Sequence, residues 1–151
     1  MKVIVLLVSI LTLSQTSVFC QQSSHRVCDT IRYEFVEGKI IIPVIVNGLK
    51  VKYIDDTGGK TGTMRDIAVD KKALSTGTST SVSDINRAGT NFQIGILQNV
   101  ELSPNYKLSR LETMIFPMTG FFKELGVAGI LGGDAFAQSV ITFDAREKIM
   151  V

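Results

Sequence analysis

Histidine is almost absent from this chain of 151 residues, which has one, His25. Because His25 lies in a predicted leader before the folded domain, Ser-His-Asp and Cys-His catalytic sites have no plausible base. His25 and Cys28 are spaced like two metal ligands, but a structural zinc site needs four. We therefore expect neither a metal nor a cofactor.

Long hydrophobic runs are also absent, since no apolar stretch reaches the length that spans a bilayer. Lys2 precedes an apolar run, residues 3–13, and a polar stretch then leads to Cys20. This order is typical of a secretory signal peptide, residues 1–20. A buried first strand or a retained anchor is the alternative, and Cys20 is a candidate for a lipid anchor. We expect a secreted protein or one of the periplasm or cell envelope.

Cysteine is scarce as well, because Cys20 and Cys28 are the only two. Loss of residues 1–20 would leave Cys28 alone, so the mature chain would form no internal disulfide. We expect Cys28 to be a small buried residue, with an intermolecular disulfide as the alternative.

An excess of one charge is missing too, since the net charge is only +2 at pH 7. Such a chain has no electrostatic attraction for nucleic acid or an anionic membrane, so we expect no nucleic-acid partner. The hydrophobic fraction of 45% and the length suit one globular domain. We place it at residues 33–151, after a polar leader at residues 21–32.

Short β patterns make up most of that domain. Residues 33–46 and 49–54 flank Asn47-Gly48, the strongest short signal for a hairpin, because both turn residues must take positive φ. Residues 81–97 predict a second hairpin with its turn near residues 86–89. Further strands are predicted over residues 99–105 and 108–118, a last hairpin over residues 139–151, and short helices over residues 64–74 and 134–138. The expected fold is mainly β with one or two short helices.

The segment IDDTGGKTG, residues 54–62, contains two motifs that exclude each other. Gly59-Lys60-Thr61 matches the end of a phosphate-binding loop, but that motif requires glycine at position 54, where the chain has Ile54. The β patterns also lack the alternating helices that a parallel sheet requires. A nucleotide site is therefore not supported.

Asp56-Thr57-Gly58 gives the same segment a different chemistry. When two such loops meet, their carboxylates share one proton, so one acts as base on water and the other as acid toward a carbonyl. The chain has one such triplet, so the second carboxylate must come from another copy in a two-fold dimer. The simpler alternative is a hairpin end or an Asx-turn.

Two segments strengthen the catalytic hypothesis. Residues 41–59, IIPVIVNGLKVKYIDDTGG, and residues 129–151, GILGGDAFAQSVITFDAREKIMV, resemble the first and last parts of single-lobe, retropepsin-like aspartic proteases, particularly small secreted or lipid-anchored bacterial members. The resemblance covers about residues 38–151. It implies a retropepsin-like barrel and a homodimeric aspartic endopeptidase that uses an activated water on peptide or protein substrates.

The resemblance also implies roles for individual residues. Asp56 would be catalytic, while Thr57 and Gly58 would lock the two loops together. Ile130, Leu131 and Gly132 would support the catalytic loop from beside it. A flap over the substrate would include, together with Gly59 of the loop, Ile85, Asn86, Arg87, Ala88 and Gly89.

Three positions depart from the family pattern. Asp55 stands where an apolar residue is usual, Gly59 where Ala or Ser is usual, and Lys60 adds a cation close to the carboxylates. Alternation places Asp55 opposite Asp56, so we expect it to be solvated or paired with a cation. These departures keep open an inactive peptide-binding or assembly module, and the wider alternative is an unrelated β-rich envelope protein.

An apolar cluster near residue 120 is ambiguous from sequence alone. Core or dimer packing is the expected role, and the lining of a substrate pocket is the alternative. Its members are Met114, Phe116, Met118, Phe121 and Phe122.

Overall fold

Strand pairing closes six β-strands into a barrel. A computed structural model describes residues 28–70, 74–83, 89–117 and 120–151. The strands are β1 (Ile31–Arg32), β2 (Glu34–Val36), β3 (Lys39–Val46), β4 (Leu49–Asp56), β5 (Gly62–Met64), β6 (Leu74–Ser83), β7 (Gly89–Glu101), β8 (Lys107–Phe116), β9 (Gly129–Gly132), β10 (Phe143–Asp144) and β11 (Ile149–Met150). Two short helices, α1 (Arg65–Asp70) and α2 (Gly120–Glu124), and a 3₁₀ turn (Gly133–Phe136) complete the described elements.

The barrel strands follow the order β3-β4-β9-β5-β8-β7, and pairing between β3 and β7 closes the ring. Strands β2 and β6 extend the sheet beyond that closure, and β1, β11 and β10 form a separate three-stranded sheet. The predicted fold class, mainly β with one or two short α-helices, is confirmed.

The Asn47-Gly48 hairpin leads directly to the candidate catalytic triplet. Strands β3 and β4 pair from Val46 and Leu49 at the turn to Ile41 and Ile54 at the far end. Both turn residues have positive φ, 48° and 81°, as the dipeptide predicted. Asp56 is the last residue of β4.

Parallel pairing is the part of the topology that the sequence did not reveal. Strand β9 runs parallel to β4, with Tyr53 opposite Gly129, and β5 runs parallel to β8. These partners lie far apart along the chain, so no local pattern announces their contact. Asp134 directs its carboxylate to Thr61 instead of capping a helix, and the helix predicted over residues 134–138 is a single 3₁₀ turn.

A hydroxyl network crosses the barrel core. The phenol of Tyr53 and the hydroxyl of Thr63 share a hydrogen bond of 3.1 Å, and the hydroxyls of Thr63 and Thr113 share one of 2.8 Å. All three residues are fully buried, and burial raises the pKa of Tyr53 to about 12. These three buried hydroxyl groups are therefore satisfied by one another.

The chain before residue 33 takes part in the fold. Ile31 is buried and pairs with Met150, so β1 lies within the segment predicted as a leader. Asp29 accepts hydrogen bonds from the hydroxyl of Ser103 and from the backbone N–H of Asn105, at 3.2 Å for the latter. The expectation of a buried Cys28 is wrong, because that residue is exposed at the outer end of this segment.

Some predictions fall on residues outside the described ranges. They are the signal peptide with Cys20, the leader up to residue 27, residues 71–73 of the predicted helix, the tip of the second hairpin at residues 84–88, and Met118 of the apolar cluster. Within the described ranges no helix is long and apolar enough to cross a membrane.

Replacing Thr63 tests the hydroxyl network. Thr63→Val keeps the shape but leaves the Tyr53 hydroxyl buried without its partner, which costs about 1–3 kcal/mol. We expect the free energy of unfolding in urea to fall by that amount, while the exposed control Thr142→Val changes it by no more than about 0.5 kcal/mol. Equal effects of the two substitutions would contradict the network's role.

Candidate active site

The end of β4 presents the Asp56 carboxylate on a tight turn. The backbone N–H of Gly58 donates to Oδ1 of Asp56 at 3.2 Å, and that of Gly59 donates to its carbonyl oxygen at 3.0 Å. Asp56, Thr57 and Gly58 are all exposed. These bonds alone describe an Asx-turn, so the surroundings must distinguish a catalytic loop from an ordinary one. Residues 57–61 are called the Asp56 loop below.

Strand β9 supports this loop from the side. Ile130, Leu131 and Gly132 lie opposite Ile54, Asp55 and Asp56 in the parallel register. The three residues that were predicted to support the loop therefore lie beside β4, the strand that leads into the loop.

Gly132 lets the two backbones approach more closely than any other residue would allow. A Cβ atom at this position would lie 2.5 Å from the backbone of Lys60 and Thr61, a distance that side chains do not tolerate. The backbone N–H of the following residue, Gly133, donates to the carbonyl oxygen of Gly59 at 3.1 Å. The Asp56 loop is therefore packed backbone to backbone against the end of β9.

Thr61 and Asp134 fasten the other end of the loop. The Thr61 hydroxyl donates to Asp134 Oδ1 at 2.6 Å and accepts from the Gly132 N–H at 3.0 Å, while the Thr61 N–H donates to Asp134 Oδ1 at 3.0 Å. Thr61 is only 1% exposed. Sequence analysis missed both residues, because Thr61 entered only the rejected phosphate motif and the two lie 73 residues apart.

The environment of the Asp55 side chain differs from the predicted one. Asp55 was predicted to be solvated or paired with a cation, but its side chain is half-buried and its Oδ1 is buried without a hydrogen-bond partner. Within the described ranges the ion pairs are Lys52–Glu34 and Lys107–Glu101, so neither involves Asp55 or Lys60. Burial, and secondly the charge of Asp56, raise the pKa of Asp55 to about 6.

Three phenylalanines lie on the Asp56 side of β4. The ring centroids of Phe116 and Phe122 are 5.1 Å apart, and those of Phe121 and Phe122 are 5.5 Å apart. Phe122 packs against a small cluster that includes Ile54, and alternation places Ile54 and Asp56 on one face. Phe121 is 44% exposed, so part of this aromatic cluster is open to a ligand.

The predicted flap is only partly described. Ser83 pairs with Gly89, which joins β6 and β7 in the expected hairpin. Ile85, Asn86, Arg87 and Ala88 lie outside the described residues. Among the residues that are described, no three histidine, cysteine or acidic side chains come together as candidate metal ligands.

Comparison with known proteins supports the fold. No family model matches the chain, and no curated protein matches it. A solved structure of a retropepsin-like aspartic protease from Rickettsia conorii is similar, with a TM-score of 0.51 and 14% sequence identity over 81% of this chain and 86% of that one. At this identity the similarity establishes a retropepsin-like fold and leaves activity to be tested.

The fastening of the Asp56 loop can be tested at Thr61. Thr61→Val removes the hydroxyl that links Asp134 to the Gly132 N–H, and we expect unfolding in urea to become easier by about 2–4 kcal/mol because charge-assisted bonds are lost. The matched control Thr61→Ser keeps the hydroxyl and should cost much less. If Ser and Val are equally destabilising, the methyl group and not the hydroxyl fastens the loop.

Proposed function

We propose that this protein is an aspartic endopeptidase whose catalytic unit is a homodimer. The observation that supports this most directly is the exposed Asp56 carboxylate on a loop fixed from two sides, by β9 and by Asp134. An ordinary Asx-turn at a hairpin end needs no such fastening, whereas a catalytic carboxylate needs a rigid position.

A second copy completes the site. One chain supplies one Asp56, and its exposed loop leaves that carboxylate accessible to an equivalent loop across a two-fold axis. Two carboxylates at contact distance cannot both ionise, so the pair shares one proton. Thr57 and Gly58, exposed at the tip, are the residues that would meet their counterparts.

Peptide hydrolysis then follows from this shared proton. The ionised Asp56 takes a proton from water as the water oxygen bonds to the scissile carbonyl carbon, and the protonated Asp56 donates its proton to the carbonyl oxygen. The Asp56 that took the water proton then donates it to the amide nitrogen, and the other Asp56 takes a proton back from a hydroxyl of the tetrahedral intermediate. The C–N bond breaks, acid and amine leave, and the pair again shares one proton. No metal or cofactor takes part in these steps.

The aromatic cluster suggests which substrates fit. It packs on the face of β4 that carries Ile54 and Asp56, and Phe121 is partly exposed. We propose that it receives apolar side chains close to the scissile bond, as an apolar pocket favours apolar groups. We also propose, from the pattern of residues 1–20, that the enzyme acts outside the cytoplasm, with Cys20 as a candidate lipid anchor.

Asp55 favours a second candidate, a peptide-binding or assembly module without activity. An extra half-buried carboxyl group adjoins Asp56 where the family pattern has an apolar residue, and a further coupled acid disturbs a shared-proton pair. In this alternative the dimer still forms and still binds a peptide, and only peptide hydrolysis is missing.

The peptidase proposal predicts that a single substitution at Asp56 abolishes cleavage. Asp56→Asn removes the ionisable group, so we expect cleavage of an unfolded polypeptide at about pH 3–7 to fall at least 10³-fold, because both acid and base functions fail. The control Glu112→Gln makes the same chemical change at an exposed position of β8 and should retain activity. Product release is followed by mass spectrometry.

Enzyme concentration provides the second part of this test. Below the dissociation constant of the dimer, the rate should rise with the square of the enzyme concentration. A folded dimer that cleaves nothing at any pH would contradict the peptidase and favour the binding module. Cleavage that survives Asp56→Asn would place the catalysis elsewhere.

A further inference from the structure

Asp55 immediately precedes the candidate catalytic residue, Asp56, at the end of β4. Successive strand residues point to opposite faces, so Asp55 shares its face with Tyr53 and not with Asp56. Tyr53 is fully buried, and Leu131, opposite Asp55 on β9, is buried as well. Asp55 is therefore directed toward the barrel interior and away from the side on which a substrate would lie.

The surroundings of Asp55 provide little to stabilise a negative charge. Its Oδ1 is buried and has no hydrogen-bond partner. The Thr61 hydroxyl and N–H, which fasten the Asp56 loop, both donate to Asp134 and not to Asp55. Protonation removes the cost of keeping this half-buried carboxyl group charged.

Charged groups on the surrounding elements do not change this conclusion. The charge of Asp56 opposes ionisation of Asp55 and helps to raise its pKa. No cation forms an ion pair with Asp55 in the described part of the chain. The charged residues are Lys39 of β3 and Asp134 after β9, which belong to the elements that flank β4, and Asp56 and Lys60, which follow Asp55 in the chain.

We propose that Asp55 makes the stability of the end of β4 and of the Asp56 loop depend on pH, because its half-buried carboxyl is accommodated when protonated and disfavoured when ionised. The fold part of this inference is independent of catalysis, and its catalytic consequence rests on the proposed peptidase. In a dimer, two ionised Asp55 side chains would add two negative charges behind the paired Asp56 residues. In the proposed peptidase, ionisation of Asp55 would thus lower activity as the pH rises toward neutral, although this residue does not touch the substrate.

The direction of the pH effect follows from linkage. Burial raises the pKa of Asp55 from 3.8 to about 6, so the folded state binds the proton more tightly than the unfolded state. This stabilisation is complete below about pH 4 and is lost as the pH rises to about 6 and above. The opposite trend would hold for a carboxylate with a lowered pKa.

The thermal midpoint of the purified protein, measured from pH 4 to pH 7, tests this inference. We expect Asp55→Asn to match the unchanged protein near pH 4 and to exceed it by about 5 °C at pH 7, since Asn mimics the protonated acid. Asp55→Leu is the second variant in case Asn does not fold, and the exposed Glu112→Gln is the control. A difference between Asp55→Asn and the unchanged protein that stays constant with pH would overturn the proposal.

A peptidase assay on the same samples separates the two proposals. We expect the alkaline limb of the kcat/KM profile to move to higher pH in Asp55→Asn. A pH-dependent difference in thermal midpoint without cleavage by any variant would reject the peptidase and keep the inference about Asp55. Cleavage with superimposable pH profiles would keep the peptidase and reject the catalytic consequence of the inference.

Discussion

The close parallel contact between β4 and β9 is the constraint on which the rest of the structure depends. It requires glycine at position 132, because any side chain there would meet the backbone of Lys60 and Thr61. It also brings the Gly132 N–H to the hydroxyl of Thr61, which in turn donates to Asp134. One threonine thus links the strand, the loop and the following 3₁₀ turn, and Asp56 is held at the end of a rigid support.

This arrangement explains which features could be predicted from sequence. The Asn47-Gly48 turn and the alternation of its strands are local signals, and the hairpin follows from them. The Asp-Thr-Gly triplet at a strand end is local too. The pairing of Thr61 with Asp134 joins positions 73 residues apart, and hydroxyl and carboxyl groups occur in many other settings, so no local pattern distinguishes this pair.

Burial was predicted least well where it depended on neighbours distant in sequence. Alternation correctly separates Asp55 from Asp56, but whether the opposite face is solvated depends on β9, which the sequence does not place. Asp55 is therefore half-buried where exposure was expected, and Cys28 is exposed where burial was expected. Both errors arise because an average tendency of a residue type was applied without knowledge of the packing around it.

The central claim is that two copies of Asp56 form one active site, and subunit mixing tests it most directly. A fixed amount of the unchanged protein is equilibrated with an increasing excess of Asp56→Asn protein, and cleavage is measured at acidic pH. The account predicts that activity falls toward zero as mixed dimers with a single carboxylate replace active ones, whereas an excess of Glu112→Gln protein does not suppress it. Activity that stays constant as the Asp56→Asn protein is added, under conditions where mixed dimers form, would contradict the shared site.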